Sequence, residues 1–227
     1  MAWFSRAARW CVPVAWLATG VGLATATTLE LKYVWFMPPT PPEVARDITV
    51  TDAQDKQGRH ASFRILLFSD EFRWRLSSYE ATEDGAAFPA FTDEMKAVLN
   101  SAREIICVGA SSEEFAAGTS LKVGRAQEEW RAGRRAERIA VWVRQGLSAP
   151  VPVRKLNIGH HAPTKASKDT SDQRRVVVIL VLDHDKDANI DESLRSAMTQ
   201  EAGRSPLFDS LLTDYSLGAG KAFTWVP

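Results

Sequence analysis

The run Arg175-Val176-Val177-Val178-Ile179-Leu180-Val181-Leu182 decides the fold. Side chains of a strand alternate between the two faces of a sheet. In this run both alternating sets are apolar, so the strand is central in a covered sheet. Upstream, Glu104-Ile105-Ile106-Cys107-Val108 is a short apolar strand stopped by Gly109. Phe63-Arg64-Ile65-Leu66-Leu67-Phe68 is another. Val151 to Ile158 alternates toward a fourth and ends at Gly159.

Helices lie between these strands. Thr92 to Ser101 has Thr92 as its N-cap, with Met95, Val98 and Leu99 at helical spacing. Glu128 to Gln145 carries Ala136, Ile139, Ala140 and Val143 on one apolar face. Its other positions interleave Arg131, Arg134, Arg135, Arg138 and Arg144 with Glu128, Glu129 and Glu137. Gly146 stands where a helix C-terminal glycine belongs. Asn189 to Gly203 is a further amphipathic helix with Ile190, Leu194 and Met198. The order β-α-β-α-β-β with a helical tail predicts an α/β fold, specifically an α+β sandwich with helices on one face of a mixed sheet.

The N-terminus is of another kind. Cys11 to Leu29 is a stretch of 19 residues without a charge, about 28 Å of helix at 1.5 Å per residue. That length suits a hydrocarbon core of about 30 Å. Arg6 and Arg9 precede it and hold the N-terminus in the cytoplasm under the positive-inside rule. We read 1–36 as a cytoplasmic stub and a transmembrane signal anchor. A cleaved signal peptide ending at Ala24-Thr25-Ala26 is the alternative. Both place the remainder in the periplasm. Met37-Pro38-Pro39-Thr40-Pro41-Pro42 opens a proline-rich linker spanning 37–61.

Composition narrows the function. Lys plus Arg equals Asp plus Glu at 28 each, so no basic footprint points to nucleic acid. The two cysteines, Cys11 and Cys107, form no Cys-x-x-Cys and read as inert thiols. No Gly-x-Ser-x-Gly, Walker or His-Glu-x-x-His motif is present, so no enzyme chemistry, cofactor or metal is signalled. Asp183 to Ile190 alternates oxygen ligands as a calcium loop does, but Ala188 and Leu194 replace the required Gly and Glu. It reads as a solvated turn with Asp191 capping the next helix. His160 and His161 are adjacent and point apart on an extended chain. The eight tryptophans are expected to pack, or to sit in interfacial belts, rather than bind sugar.

Four short motifs, in order, resemble a known family. They are Gly109-Ala110-Ser111-Ser112 after a strand, Arg134-Arg135-Ala136 in a helix, Gly159 closing the next strand, and Gln173-Arg174-Arg175-Val176 opening the last. This pattern, over 62–182, resembles the OmpA-like domain shared with peptidoglycan-associated lipoproteins and MotB-type stator proteins. The resemblance implies that the turn and the helix Arg clamp the diaminopimelate of peptidoglycan, a carboxylate on a guanidinium fork. It places the clamp at Arg135, Ser112 and Glu113, with Arg174 and Arg175 lining or bracing it. A rival register uses Leu121, Arg125 and Ala126. Ser112 stands where the family has Asp, with Glu113 and Glu114 beside it.

Together these observations predict a non-catalytic envelope protein. It is single-pass in the bacterial inner membrane, with a periplasmic OmpA-like domain that contacts peptidoglycan. The alternative is a MotB-like or secretion-type subunit, with membrane-protein partners or further copies of itself. There the domain is an interaction module, and Gly20, Gly22 and Ala24 form a helix-packing face. The tail 183–227 lies outside the resemblance.

Overall fold

The computed structural model describes residues 43–69, 72–82, 88–112, 118–160, 174–201 and 224–225. The expected membrane helix, proline run, Cys11, Glu113, Glu114, His161 and Gln173 lie outside these residues. Among the described residues no helix is long and apolar enough to cross a membrane.

In chain order the elements are β1 (Val44–Gln54), β2 (His60–Phe68), α1 (Asp93–Asn100), β3 (Glu104–Ser111), α2 (Leu121–Gln145), β4 (Val153–His160), β5 (Val177–His184), α3 (Ile190–Glu201) and β6 (Thr224–Trp225). The strands form one mixed sheet in the order β1-β2-β5-β3-β4-β6. β3 and β4 are parallel, joined by α2, and every other neighbouring pair is antiparallel. β5 is thus central, as its two-sided apolar run requires.

The alternation of β5 sorts the core into two halves. Val176, Val178 and Leu180 join Phe68, Cys107, Leu99, Ile139, Trp142 and Val143 under α1 and α2. Val177, Ile179 and Val181 join Phe63, Ile65, Ile106 and Val108 under Ile190, Leu194, Ala197 and Met198 of α3. The helices therefore cover both faces, not one as the element order suggested. The physical reason is in β5 itself: a strand apolar on both faces leaves a second face that α3 must cover. Burial pushes the Cys107 thiol well above its ordinary value, with Arg144 opposing weakly, which keeps it a neutral, inert core group.

Three further expectations change. Val44–Gln54, within the stretch read as a linker, is an edge strand. Only Val50 and Ala53 of its side chains are buried, so its pattern carries little period-2 signal. α2 begins at Leu121, capped by the Ser120 side chain on Val123 N, seven residues before the predicted start. Its first turns do not face the core and so lack an apolar stripe. Gly146 caps the end of α2 as expected, but with φ −88° and not in the left-handed conformation of that motif. A Cβ there would lie 2.6 Å from the Phe91 ring, and packing demands the glycine instead.

α3 belongs to the fold and is anchored from β1 and β2. The Asp55 carboxylate accepts from the backbone N–H groups of Gln57, Arg59 and Asn189, and from Arg59 Nε, all within 2.7–2.9 Å. Burial alone would raise its pKa, but these donors outweigh it and hold the carboxyl well below the usual carboxylate range. The Asp183–Asn189 turn packs against the hairpin, with Asp185 Oδ2 accepting from His60 N at 2.7 Å. Asn189, not Asp191, caps α3, accepting from Glu192 N at 3.3 Å. Asp191 instead accepts from Arg154 Nη1 at 3.2 Å.

Candidate functional site

The parallel pair β3 and β4 has its C-terminal ends beside the start of β5. α2 crosses this end in very close contact with β3. A Cβ on Gly109 would fall 1.9 Å from Ala132 O and 2.6 Å from Ala136 N, so only glycine lets the helix lie here. Ala110 pairs with Gly159 across the sheet, after a bulge that skips Ile158. Gly159 takes φ +84°, and its N–H is accepted by Asn157 Oδ1 at 2.8 Å. The first and third motifs are thereby side by side.

Arg135 enters from α2 with a fully buried side chain, 0% exposed. Its Nη1 donates to Ala110 O at 2.9 Å, its Nε to Ser78 O at 2.9 Å and its Nη2 to Arg75 O at 3.4 Å. Its Cζ lies 5.5 Å from the centroid of the buried Trp74 ring. Two of the carbonyls it meets, those of Arg75 and Ser78, belong to a tight loop. Ser78 Oγ accepts from the N–H groups of Glu80 and Ala81, and Ser77 takes φ +56°. The second motif thus ties α2 to the end of β3 and to the loop after β2.

The fourth motif closes the ring. Arg174 Nη1 donates to Trp74 O at 3.0 Å, and Trp74 N donates to Arg174 O at 2.8 Å. Arg175 bridges to Arg73. Arg174 is buried; both arginines brace the loop after β2 against the strand entering the sheet centre. Ser112 is buried at 2% exposure, two positions beyond the carbonyl that Arg135 holds. The structure therefore gathers Arg135, Ser112, Arg174 and Arg175 at one end of the sheet. The Arg125 of the rival register lies ten residues earlier on α2, at an exposed position.

Several residues at this end were given no role at the site by the sequence. Ser111 Oγ donates to Glu128, and Arg131 pairs with the same carboxylate. Ser111 and Glu128 are both buried, at 0% and 2% exposure. Trp74 sits at the hub of the loop, its indole N–H buried without a hydrogen-bond partner among the described residues. Trp130 departs from the expected packing: it is 56% exposed, whereas Trp74 and Trp142 are buried. A helical wheel holds that signal, because two residues are about 200° apart and Trp130 precedes the buried Ala132 by two. Among the described residues no group of three His, Cys, Asp or Glu is placed to hold a metal.

Compared with models of protein families, with characterised proteins and with solved structures, the chain matches none.

Proposed function

We propose that this chain is a non-catalytic cell-envelope protein of OmpA-like type. Its N-terminal apolar segment anchors it in the inner membrane, and its periplasmic domain contacts the cell wall. The observation that carries this is convergence. Residues of four motifs spread over 109–176 meet at one end of one sheet, in the element order the resemblance implies. Convergence of that kind is expected where a shared architecture frames a ligand at strand ends.

The proposed contact does not run through a diaminopimelate clamp. The Arg135 guanidinium is buried and donates to three main-chain carbonyls. A guanidinium so placed braces the fold and is out of reach of a polymer. Ser111 and Glu128 are likewise enclosed, which removes them as a nucleophile and base for any substrate from solvent. A second reading, a protein-interaction module, draws on exposed Leu121, Val123 and Val141 along α2.

Co-sedimentation of the full-length chain in detergent with purified sacculi tests the proposal. The chain should sediment, and excess diaminopimelate stem peptide should not release it. Failure to sediment would overturn wall contact and leave the protein-interaction module. Release by the stem peptide would show a working clamp and overturn the brace.

A further inference from the structure

The buried cluster leaves the wall contact to the outer surface, and one place there has the makings of a site. Trp130 is 56% exposed yet held edge-to-face by Tyr79, with ring centroids 5.2 Å apart and planes at 83°. Tyr79 is in turn covered by Arg134, whose Cζ lies 5.4 Å from its centroid. The aromatic pair is thus preorganised rather than loose. Beside it lies a shallow, open and mostly apolar face of α2 formed by Lys122, Val123, Ala126, Gln127 and Trp130.

The lining has a definite chemistry. An indole offers a flat apolar face with a polar N–H at its edge, which matches the C–H face and rim hydroxyls of a pyranose ring. The Gln127 amide is both donor and acceptor, as vicinal hydroxyls and an N-acetyl group require. Lys122 adds a cation in the first turn of α2, a turn with no acidic residue. The helix N-terminus carries partial positive charge, so both favour a carboxylate. The occupant should therefore join a sugar ring to a carboxylate.

We propose that the Trp130–Tyr79 platform with Lys122 and Gln127 binds the glycan strand of the cell wall in its peptide-free form, through its sugar rings and free lactyl carboxylates. This differs from a diaminopimelate clamp in place and in ligand: it takes the sugar backbone and not the stem peptide. It rests on the wall contact proposed above.

The test is titration of the full-length chain in detergent with amidase-stripped glycan strands, read by calorimetry. Neutral chitin oligomers and intact sacculi serve as comparisons. Stripped strands should bind more tightly than chitin oligomers, and Trp130→Ala should weaken binding at least ten-fold. Lys122→Glu should weaken stripped strands but leave chitin oligomers little changed. Binding of stripped strands that is indifferent to Trp130→Ala, with sedimentation on sacculi intact, would overturn this site while sparing wall contact. No binding to sacculi or strands would overturn both, leaving the exposed ring as an anchor for a protein.

Discussion

The two halves of α2 share one helix and obey different rules. From Ala132 to Val143 the helix sinks Ala132, Arg135, Ala136, Ile139, Ala140, Trp142 and Val143 into the core. From Leu121 to Trp130 it exposes Leu121, Val123 and Trp130 by half or more and buries only Gly124 and Glu128. The first half-helix has room to carry a contact because the second is fastened so tightly. The fastening depends on a glycine, which has no side chain to bury, and on an arginine, a type almost never fully buried unless paired.

The sharpest way to break this contrast is at the fastening. Gly109→Ala puts a methyl where Ala132 O and Ala136 already are, and should cost about 3 kcal/mol or more. Urea denaturation would measure it. Arg135→Ala strips a donor from each of three main-chain carbonyls, that of Ala110 buried, and opens a void beside Trp74. The expected loss is about 3 kcal/mol. Arg135→Lys should recover only part of it, because an ammonium cannot span carbonyls that a planar fork reaches together.

The opposite face of the sheet supplies a comparison free of α2. Leu194→Ala removes a buried α3 anchor and should cost about 2–3 kcal/mol by thermal denaturation. Asp55 gives the same face a pH signature. Its folded pKa lies below its unfolded one, so its contribution is present above about pH 3.9 and fades as pH falls below that. Asp55→Asn should flatten the acid limb of a stability–pH curve. The smallest effect belongs to the exposed half of α2: Trp130→Ala loses the Tyr79 ring contact and should cost no more than about 1 kcal/mol.

Legibility in the sequence followed the same divide. β5 was readable because seven consecutive apolar residues, Val176 to Leu182, admit few other roles. The buried half of α2 and the Thr92 cap of α1 were readable from spacing, and Thr92 Oγ1 accepts from Met95 N as expected. β1 was not, because an edge strand with Arg46, Asp47 and Asp52 buries too few side chains to show its period. Cover of both faces was implied by β5 itself, but the element order alone favoured one face. At the site, Arg134-Arg135-Ala136 located the arginine but not its role. Its partners are main-chain carbonyls of Arg75, Ser78 and Ala110, and carbonyls leave no mark in a sequence. Trp130 was treated with the other tryptophans, although it lies on the charged side of the helical wheel.

The account stands most directly on separating binding from stability across α2. The measurement is retention of full-length Trp130→Ala on amidase-stripped glycan strands, with its thermal midpoint taken on the same sample. The account predicts a midpoint little changed and retention reduced at least ten-fold. Retention equal to that of the unmodified chain would contradict it.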